Sequence, residues 1–464
     1  MPVFGIPTYI GLPSTYMGRR KTHMLCWLAL ICLLAPSPLL AKGESNMVDR
    51  ARQLLDQGQL TASKDILDKI LKENPDTAPA LEMRGKIALM SNNLTGAETD
   101  LAHAYRLEPK SYETLIARAQ LFRIQKHYDK SRRELDQAIE INPKRPDAFY
   151  MRGLTCLLQG MQNWAEKDLT LAIDLGKQHK FVGYAYYWRG RCRDMMSKYK
   201  EAIPDFTAAM NYAPKSPDRD TYGQDMSLAI MLGSGKSKST RLGVLERGMC
   251  YFNIGDYRNA IKDFDQVIAQ NPKETLLLEQ RGEAYLFLME PKKALRDFNQ
   301  AILGNTASSD IYVKLGVTRY CLKMYDQAVR DLKTWLNRTV YREDDTAACV
   351  ALLSRIYHLQ GDPDSATKAQ QTCMSKLKDK TGLPYQLMLL YAGNFTPASI
   401  LKKAEKATRK EKIEALYCLG CYHLNKNERD KAKGFFSQLV ALKPLGQIEY
   451  VASLFELQQI QPSK

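Results

Sequence analysis

The sequence predicts an all-α solenoid of ten to eleven stacked helical hairpins, closed by a C-terminal capping helix. Three observations predict it. "RLGVLERGMCYFNIGDYRNAIKDFDQVIAQNPKE" (241–274) and "TLLLEQRGEAYLFLMEPKKALRDFNQAILGNTAS" (275–308) align without a gap at a period of 34, and each period holds two helical patterns. Small residues recur at positions 8 and 20 of that period. A proline recurs at its end.

Position 8 is Ala51, Gly85, Ala119, Gly153, Gly190, Gly248, Gly282, Gly316 and Gly420. Position 20 is Ser63, Ala97, Ser131, Ala165, Ala202, Ala260, Ala294, Ala328, Ala366 and Ala432. Both must be small for two antiparallel helices to approach to about 8–10 Å. Leu67, Leu101, Leu135, Leu169, Phe206, Phe264, Phe298, Leu332 and Phe436 stand at position 24. Gly58, Gly160, Gly255 and Gly361 serve the turn between the helices, where a positive φ is wanted. Pro75, Pro109, Pro143, Pro214, Pro272 and Pro444 stop the second helix.

In this register repeats start at 44, 78, 112, 146, 183, 241, 275, 309, 347 and 413. Five form an N-terminal arm, 44–216. An insert, 217–240, separates it from four more, 241–380. Residues 381–446 hold one degenerate repeat and the last regular one, and 447–464 form the capping helix and tail. One hairpin cannot bury its own apolar face, so neighbours must stack.

On these residues the chain resembles the tetratricopeptide family across about 44–446. The resemblance implies a right-handed superhelix whose concave face, lined by the first helices, receives peptides or helices. The segments "LLYAGNFTPASILKKAEKA", "EALYCLGCYHLNKNERDKAKGFFSQLVAL" and "IEYVASLFEL" are similar to the tail of NlpI-type bacterial envelope proteins. That resemblance implies an adaptor bringing exported enzymes, such as wall hydrolases and proteases, to partners. NlpI-type proteins are lipid-anchored, whereas no lipobox precedes residue 42 here. The family's carboxylate clamp for chaperone tails needs Lys and Asn at positions 5 and 9. Val48 and Arg52, then Glu82 and Lys86, stand there instead.

The first 41 residues differ from the rest. A basic run at Arg19, Arg20 and Lys21 precedes the apolar "MLCWLALICLLA" (24–35), then "PSPLLA" ends at Ala41. This is the order of a secretory signal peptide, with cleavage expected near Ala41 and Met17 as an alternative start. Export to the periplasm, the cell envelope or the medium follows. The alternative is a membrane anchor formed by uncleaved residues 24–41. Asn93, Asn337 and Asn394 open N-x-[ST] triplets that matter only in a glycosylating host.

No catalytic set emerges: the six histidines are scattered, and no H-E-x-x-H or G-x-S-x-G occurs. No cofactor, metal or small-molecule substrate is read. "CLGCYH" (418–423) places Cys418, Cys421 and His423 mid-helix, with Tyr422 where a haem motif needs His; packing is the first reading, and a redox or haem-handling role the rival. "GSGKSKST" (233–240) lacks the first glycine of a P-loop and reads as linker. Its neighbour "MSLAIML" (226–232) reads as linker, with folding back into the groove as a plug the rival. Cys349 and Cys373, on facing helices of one repeat, are the best disulfide candidates in an oxidising compartment.

The net charge of +16 invites an RNA-binding helical array as another rival. Much of the arginine has a structural address, however. Arg84, Arg118, Arg152, Arg189, Arg247 and Arg281 stand at position 7, each 16 residues before a carboxylate. An internal ladder holding hairpins in register is expected, which weakens the nucleic-acid reading. The run "KKAEKATRKEK" (402–412) reads as a solvated face.

The reading is therefore a non-enzymatic protein-binding scaffold. Positions 2, 5, 9 and 12 are expected to face the groove. The candidates named there are Tyr150, Leu154, Tyr184, Tyr187, Arg191, Leu245, Met249, Phe252, Glu279 and Glu283.

Overall fold

The structure is a computed structural model that describes residues 38–179, 181–212, 236–270, 275–304, 308–339, 341, 345–444 and 446–460. The leader to residue 37 and the segment 226–232, with its rival reading as a plug, lie outside the described residues. From Lys236 the chain is helical. Every element among the described residues is a helix or a turn.

Residues up to Thr155 belong to one compact unit, and a second begins at Cys156. The first unit contains α1 (Pro38–Asp56), α2 (Leu60–Glu73), α3 (Ala78–Met90), α4 (Leu94–Leu107), α5 (Tyr112–Ile124) and α6 (Tyr128–Ile141); α7 (Pro146–Leu158) carries the boundary. The second opens with α8 (Gln162–Leu175), α9 (Val182–Met195) and α10 (Tyr199–Asn211). It continues through α11 (Lys236–Asn253), α12 (Tyr257–Gln270), α13 (Thr275–Phe287), α14 (Pro291–Leu303), α15 (Ile311–Cys321) and α16 (Tyr325–Thr339). It ends with α17 (Thr346–Leu359), α18 (Pro363–Lys376), α19 (Leu383–Tyr391), α20 (Pro397–Ala404), α21 (Arg409–Asn425), α22 (Arg429–Ala441) and α23 (Ile448–Ile460).

Each hairpin closes on the position-8 and position-24 pair. A Cβ added at Gly282 would stand 2.8 Å from the Phe298 ring, and one at Gly420 would stand 2.3 Å from Phe436. The ring at position 24 therefore occupies the space that glycine leaves. Where position 8 is alanine and position 20 serine, the hydroxyl ties the helices: Ser63 Oγ donates to the Ala51 carbonyl and Ser131 Oγ to the Ala119 carbonyl, both at 2.8 Å.

The arginine ladder is present and has a second rung. Arg84, Arg189, Arg247 and Arg281 each grip the aspartate 16 residues on with two nitrogens. Arg118 pairs with Glu134 at 3.0 Å. The remaining guanidinium nitrogen reaches position 25 of the preceding hairpin: Asp68 from Arg84, Asp136 from Arg152, Thr170 from Arg189, Thr207 from Arg247 and Asp265 from Arg281. Arg84, Arg189, Arg247 and Arg281 thus each tie successive repeats as well as the two helices of one.

Beyond α12 the stack closes on itself. One core runs from Val244 to Phe455. The first helices α17 and α21 pack directly together, although a whole hairpin separates them in sequence, because that hairpin (α19 and α20) is short. Helix α23 does more than cap: it packs on α22 and also on α15 and α21.

Candidate functional site

The first unit presents a cavity of about 310 Å³ between its successive first helices. Helix α1 contributes Arg52, Leu55 and Asp56; α3 contributes Glu82, Met83, Lys86 and Met90. Helix α5 adds Glu113, Ile116, Gln120 and Arg123, and α7 adds Tyr150 and Met151. Most of these stand at positions 2, 5, 9 and 12 of their repeats, because residues three or four apart share one helix face.

Leu55, Met83, Ile116, Tyr150 and Met151 are buried and form an apolar floor. Three methionines line the cavity, and their unbranched, polarizable side chains adapt to irregular shapes. Along one wall runs a charge network. Lys86 pairs with Glu82 and lies 3.2 Å from Glu113. Glu113 in turn takes Arg145 at 2.5 Å, and Arg145 reaches Asp147 at 2.7 Å. Burial opposes the charge on Lys86, but the Glu82 and Glu113 carboxylates outweigh it and raise its pKa. Burial likewise works against Glu113, yet Lys86 and Arg145 hold its carboxyl below the usual range. Lys86 and Glu113 therefore stay charged near neutral pH, and the wall is braced across three repeats. At the mouth, Arg52 and Asp56 are exposed and make no ion pair with a described residue.

Of the ten residues named from sequence, Tyr150 lines this cavity. Leu154, Tyr187, Phe252, Glu279 and Glu283 are also buried, and Tyr184, Arg191, Leu245 and Met249 are half-buried. Tyr187 packs edge-on against Phe206, and Arg191 pairs with Glu246 at 2.8 Å. Phe252 meets Tyr257 and Phe287 edge-on. Lys314 of the next repeat takes up Glu279 at 3.0 Å and Glu283 at 2.5 Å. Arg191, Phe252, Glu279 and Glu283 thus hold neighbouring repeats together, whereas Tyr187 packs on a ring of its own repeat. In the sequence, Arg52, Glu82 and Lys86 stand out only as departures from a clamp, and Glu113, Gln120 and Arg123 do not stand out. The same position rule applied to the first three repeats finds them.

The cysteine pair of "CLGCYH" lies in the core. Cys418 and Cys421 are fully buried on α21, and burial pushes both thiols well up, Cys421 to about 12. A reactive cysteine needs the opposite, a stabilised and accessible thiolate. His423 is buried and bonded to Glu428. Cys349 and Cys373 are free, buried thiols. In the basic run, Lys403 and Arg409 donate to the Thr381 and Leu442 carbonyls, and Lys410 pairs with Asp345 at 3.1 Å. Part of that charge is thus spent on joining turns.

The tetratricopeptide repeat family model matches residues 48–112, 112–145 and 244–274. Over 124 residues the chain is 27% identical to tetratricopeptide repeat protein 13 of Homo sapiens, covering 26% of this chain and 14% of that protein. Over 154 residues it is 29% identical to tetratricopeptide repeat protein 36 of Xenopus tropicalis, covering 31% of this chain and 76% of that protein. Among solved structures it is similar to pilF of Pseudomonas aeruginosa, with 14% identity, a TM-score of 0.41, and 50% and 93% of the two chains covered. It is also similar to YrrB, described as a TPR protein with an unusual peptide-binding site, with 19% identity, a TM-score of 0.36, and 44% and 91% covered.

Proposed function

Because this chain is a tetratricopeptide repeat protein, we propose that it is a non-enzymatic scaffold that docks a partner peptide in the cavity of its first unit. The observation that carries the reading is that cavity: a methionine-rich floor, a braced wall, and uncommitted charges at the mouth. An apolar floor with a few placed polar groups is the make-up of a ligand site. The floor receives an apolar side chain of the peptide. Arg52 and Asp56 hold polar groups beside it.

The test is selection of peptides from a displayed library on the full chain, followed by affinity measurement on Arg52→Glu with Met90→Glu. Arg52 is exposed and Met90 half-buried, so thermal denaturation of the variant is the control for its fold. At least tenfold weaker binding at unchanged thermal stability is the expected result. Selected peptides that bind the variant as tightly would reject the cavity as the site.

The destination of the complex is a second part of the proposal. The order of basic run, apolar run and small-residue site before Lys42 supports export, and the tail's similarity to NlpI-type proteins supports exported enzymes as partners. Amino-terminal sequencing of the mature protein tests this. A start near Lys42 is expected, and retention of residues 24–41 would replace export with membrane anchoring.

A further inference from the structure

We propose that the outer face of α8 is a membrane-contact site that lays the second unit against an anionic lipid surface. This goes beyond the cavity of the first unit and does not rest on it or on export.

Helix α8 is apolar on two sides, and the repeat accounts for one of them. Its inward side buries Ala165, Leu169, Ala172 and Ile173. Its outward side carries Trp164, Leu171 and Leu175, exposed by 60%, 44% and 43%. These three follow one another by seven and four positions, so they form a single stripe along the helix, about 16 Å long. Trp164 stands at position 19 of its repeat and Leu171 at position 26. At these positions every other regular repeat has alanine, glycine or a polar or charged residue, as Asn259 and Gln266, Lys293 and Gln300, and Lys431 and Gln438 show. The packing of hairpins therefore does not call for this stripe, and leaving it in water is unfavourable in proportion to its apolar area.

The size and the charge of the stripe indicate what covers it. The exposed parts of the three side chains amount to roughly 300 Å², against about 800 Å² per partner in a stable protein–protein interface. A second copy or a folded partner gains too little from this face. A lipid surface takes a short amphipathic helix lying in its plane, with tryptophan and leucine towards the acyl chains and lysine at the headgroups. The surroundings of the stripe match that arrangement. Lys167 is exposed with its Nζ 5.4 Å from the Trp164 ring, and Lys177 is exposed just past the helix end. Glu166, which would oppose an anionic headgroup, is turned onto Arg193 at 2.8 Å and Lys198 at 2.9 Å. Asp168 is buried, and Asp174 is the carboxylate of α8 that stays exposed. With 14 residues α8 is too short to cross a bilayer, so the contact runs along its surface. One short stripe holds a protein there weakly and reversibly.

The test uses the full chain with Trp27→Phe, so that the leader adds no tryptophan fluorescence, and vesicles of phosphatidylcholine and phosphatidylglycerol in equal parts. Trp164 is the exposed tryptophan among the described residues; Trp188 is half-buried and Trp335 buried. Phosphatidylcholine brominated on its acyl chains quenches an indole that enters the bilayer. Quenching is expected, with the quenched component missing from Trp164→Phe. Leu171→Gln with Leu175→Gln keeps the reporter and removes the rest of the stripe. It copies Gln266 and Gln270, which the repeat starting at 241 carries at the same two positions, so the fold is expected to hold. At unchanged thermal denaturation this variant should need at least tenfold more lipid for the same quenching. Leaving out phosphatidylglycerol should weaken the quenching as well. No quenching of Trp164 would overturn the proposal, as would quenching that the glutamine pair leaves unchanged or that is as strong without the anionic lipid. A chain that sediments as a dimer, becomes monomeric in the glutamine variant and is not quenched by vesicles would overturn it in favour of a second copy.

Discussion

Arg281 donates Nε and Nη2 to the two oxygens of Asp297, each at 2.7 Å, while its Nη1 reaches Asp265 of the preceding hairpin at 2.6 Å. Asp297 is buried, so removing the arginine strands a charge rather than freeing one. Arg281→Ala is expected to destabilise the second unit by about 2–4 kcal/mol, whereas Arg281→Leu with Asp297→Leu costs much less, because both desolvated charges leave together. Urea unfolding of the single and double variants measures the gap. A double variant as weak as the single would show that the ladder is not what joins the repeats.

The fit of Gly420 under Phe436 makes a complementary test. Gly420→Ala brings a Cβ to 2.3 Å from the ring and is expected to cost about 1–3 kcal/mol through overpacking. The chain itself supplies the remedy. Ala51 faces Leu67 and Ala119 faces Leu135 at the same two positions, all four fully buried. Gly420→Ala with Phe436→Leu rebuilds that pair and should regain most of the loss. Thermal denaturation of the three variants reads it directly; a double variant less stable than Gly420→Ala alone would refute the pairing.

The ladder and the glycine–ring pair are both legible in the amino-acid sequence, and the reason is local. A small residue at position 8, a bulky one at position 24 and an arginine 16 residues before an acid repeat at a fixed period, and a helical hairpin makes those spacings into contacts. The groove is legible as a rule and less so as residues. Positions 2, 5, 9 and 12 do line the first unit's cavity, as Glu113, Ile116, Lys86 and Arg123 show. The same positions in later repeats are covered. Glu279 and Glu283 are taken up by Lys314, a position-6 residue of the following repeat. Phe252 and Tyr187 are closed over by neighbouring rings. The placement of α23 is not legible. Its partners Tyr320 and Arg355 lie 136 and 101 residues from Glu456, and no periodicity carries a contact of that range.

Position 15 offers a stabilising change. It turns the chain at positive φ in every regular repeat described, with glycine at Gly58, Gly160, Gly255 and Gly361 but lysine at Lys126 (φ 61) and Lys323 (φ 59). A residue with a Cβ is strained there by about 1–2 kcal/mol, partly offset by the greater freedom glycine loses on folding. Lys126→Gly and Lys323→Gly, both exposed, should each gain about 0.5 kcal/mol. Asn427→Gly, at the same position, should change little, because asparagine tolerates the left-handed region. Denaturant midpoints decide: lysine variants no more stable than the asparagine variant would mean the turn is not strained.

Glu414 and Glu449 make the second unit sensitive to pH. Burial, then the Glu449 charge, pushes Glu414 up to about 8; its carboxyl also accepts the Ala348 amide at 3.2 Å. Burial, then Asp345, pushes Glu449 up to about 7, and Lys410 opposes both shifts without cancelling them. In the unfolded chain each titrates near about 4.3. Below that pH both states are protonated and the pair contributes no pH dependence. As pH rises from there towards 8 the unfolded state releases protons that the folded state keeps, so stability falls across that window. Glu414→Gln keeps the acceptor for the Ala348 amide and removes the ionisable group. It is expected to stabilise the protein by about 1–3 kcal/mol at pH 8 and by much less at pH 5. Urea unfolding followed by the fluorescence of buried Trp335 at the two pH values checks it. An equal difference between wild type and variant at both pH values would mean that these carboxyls are not held protonated by the fold.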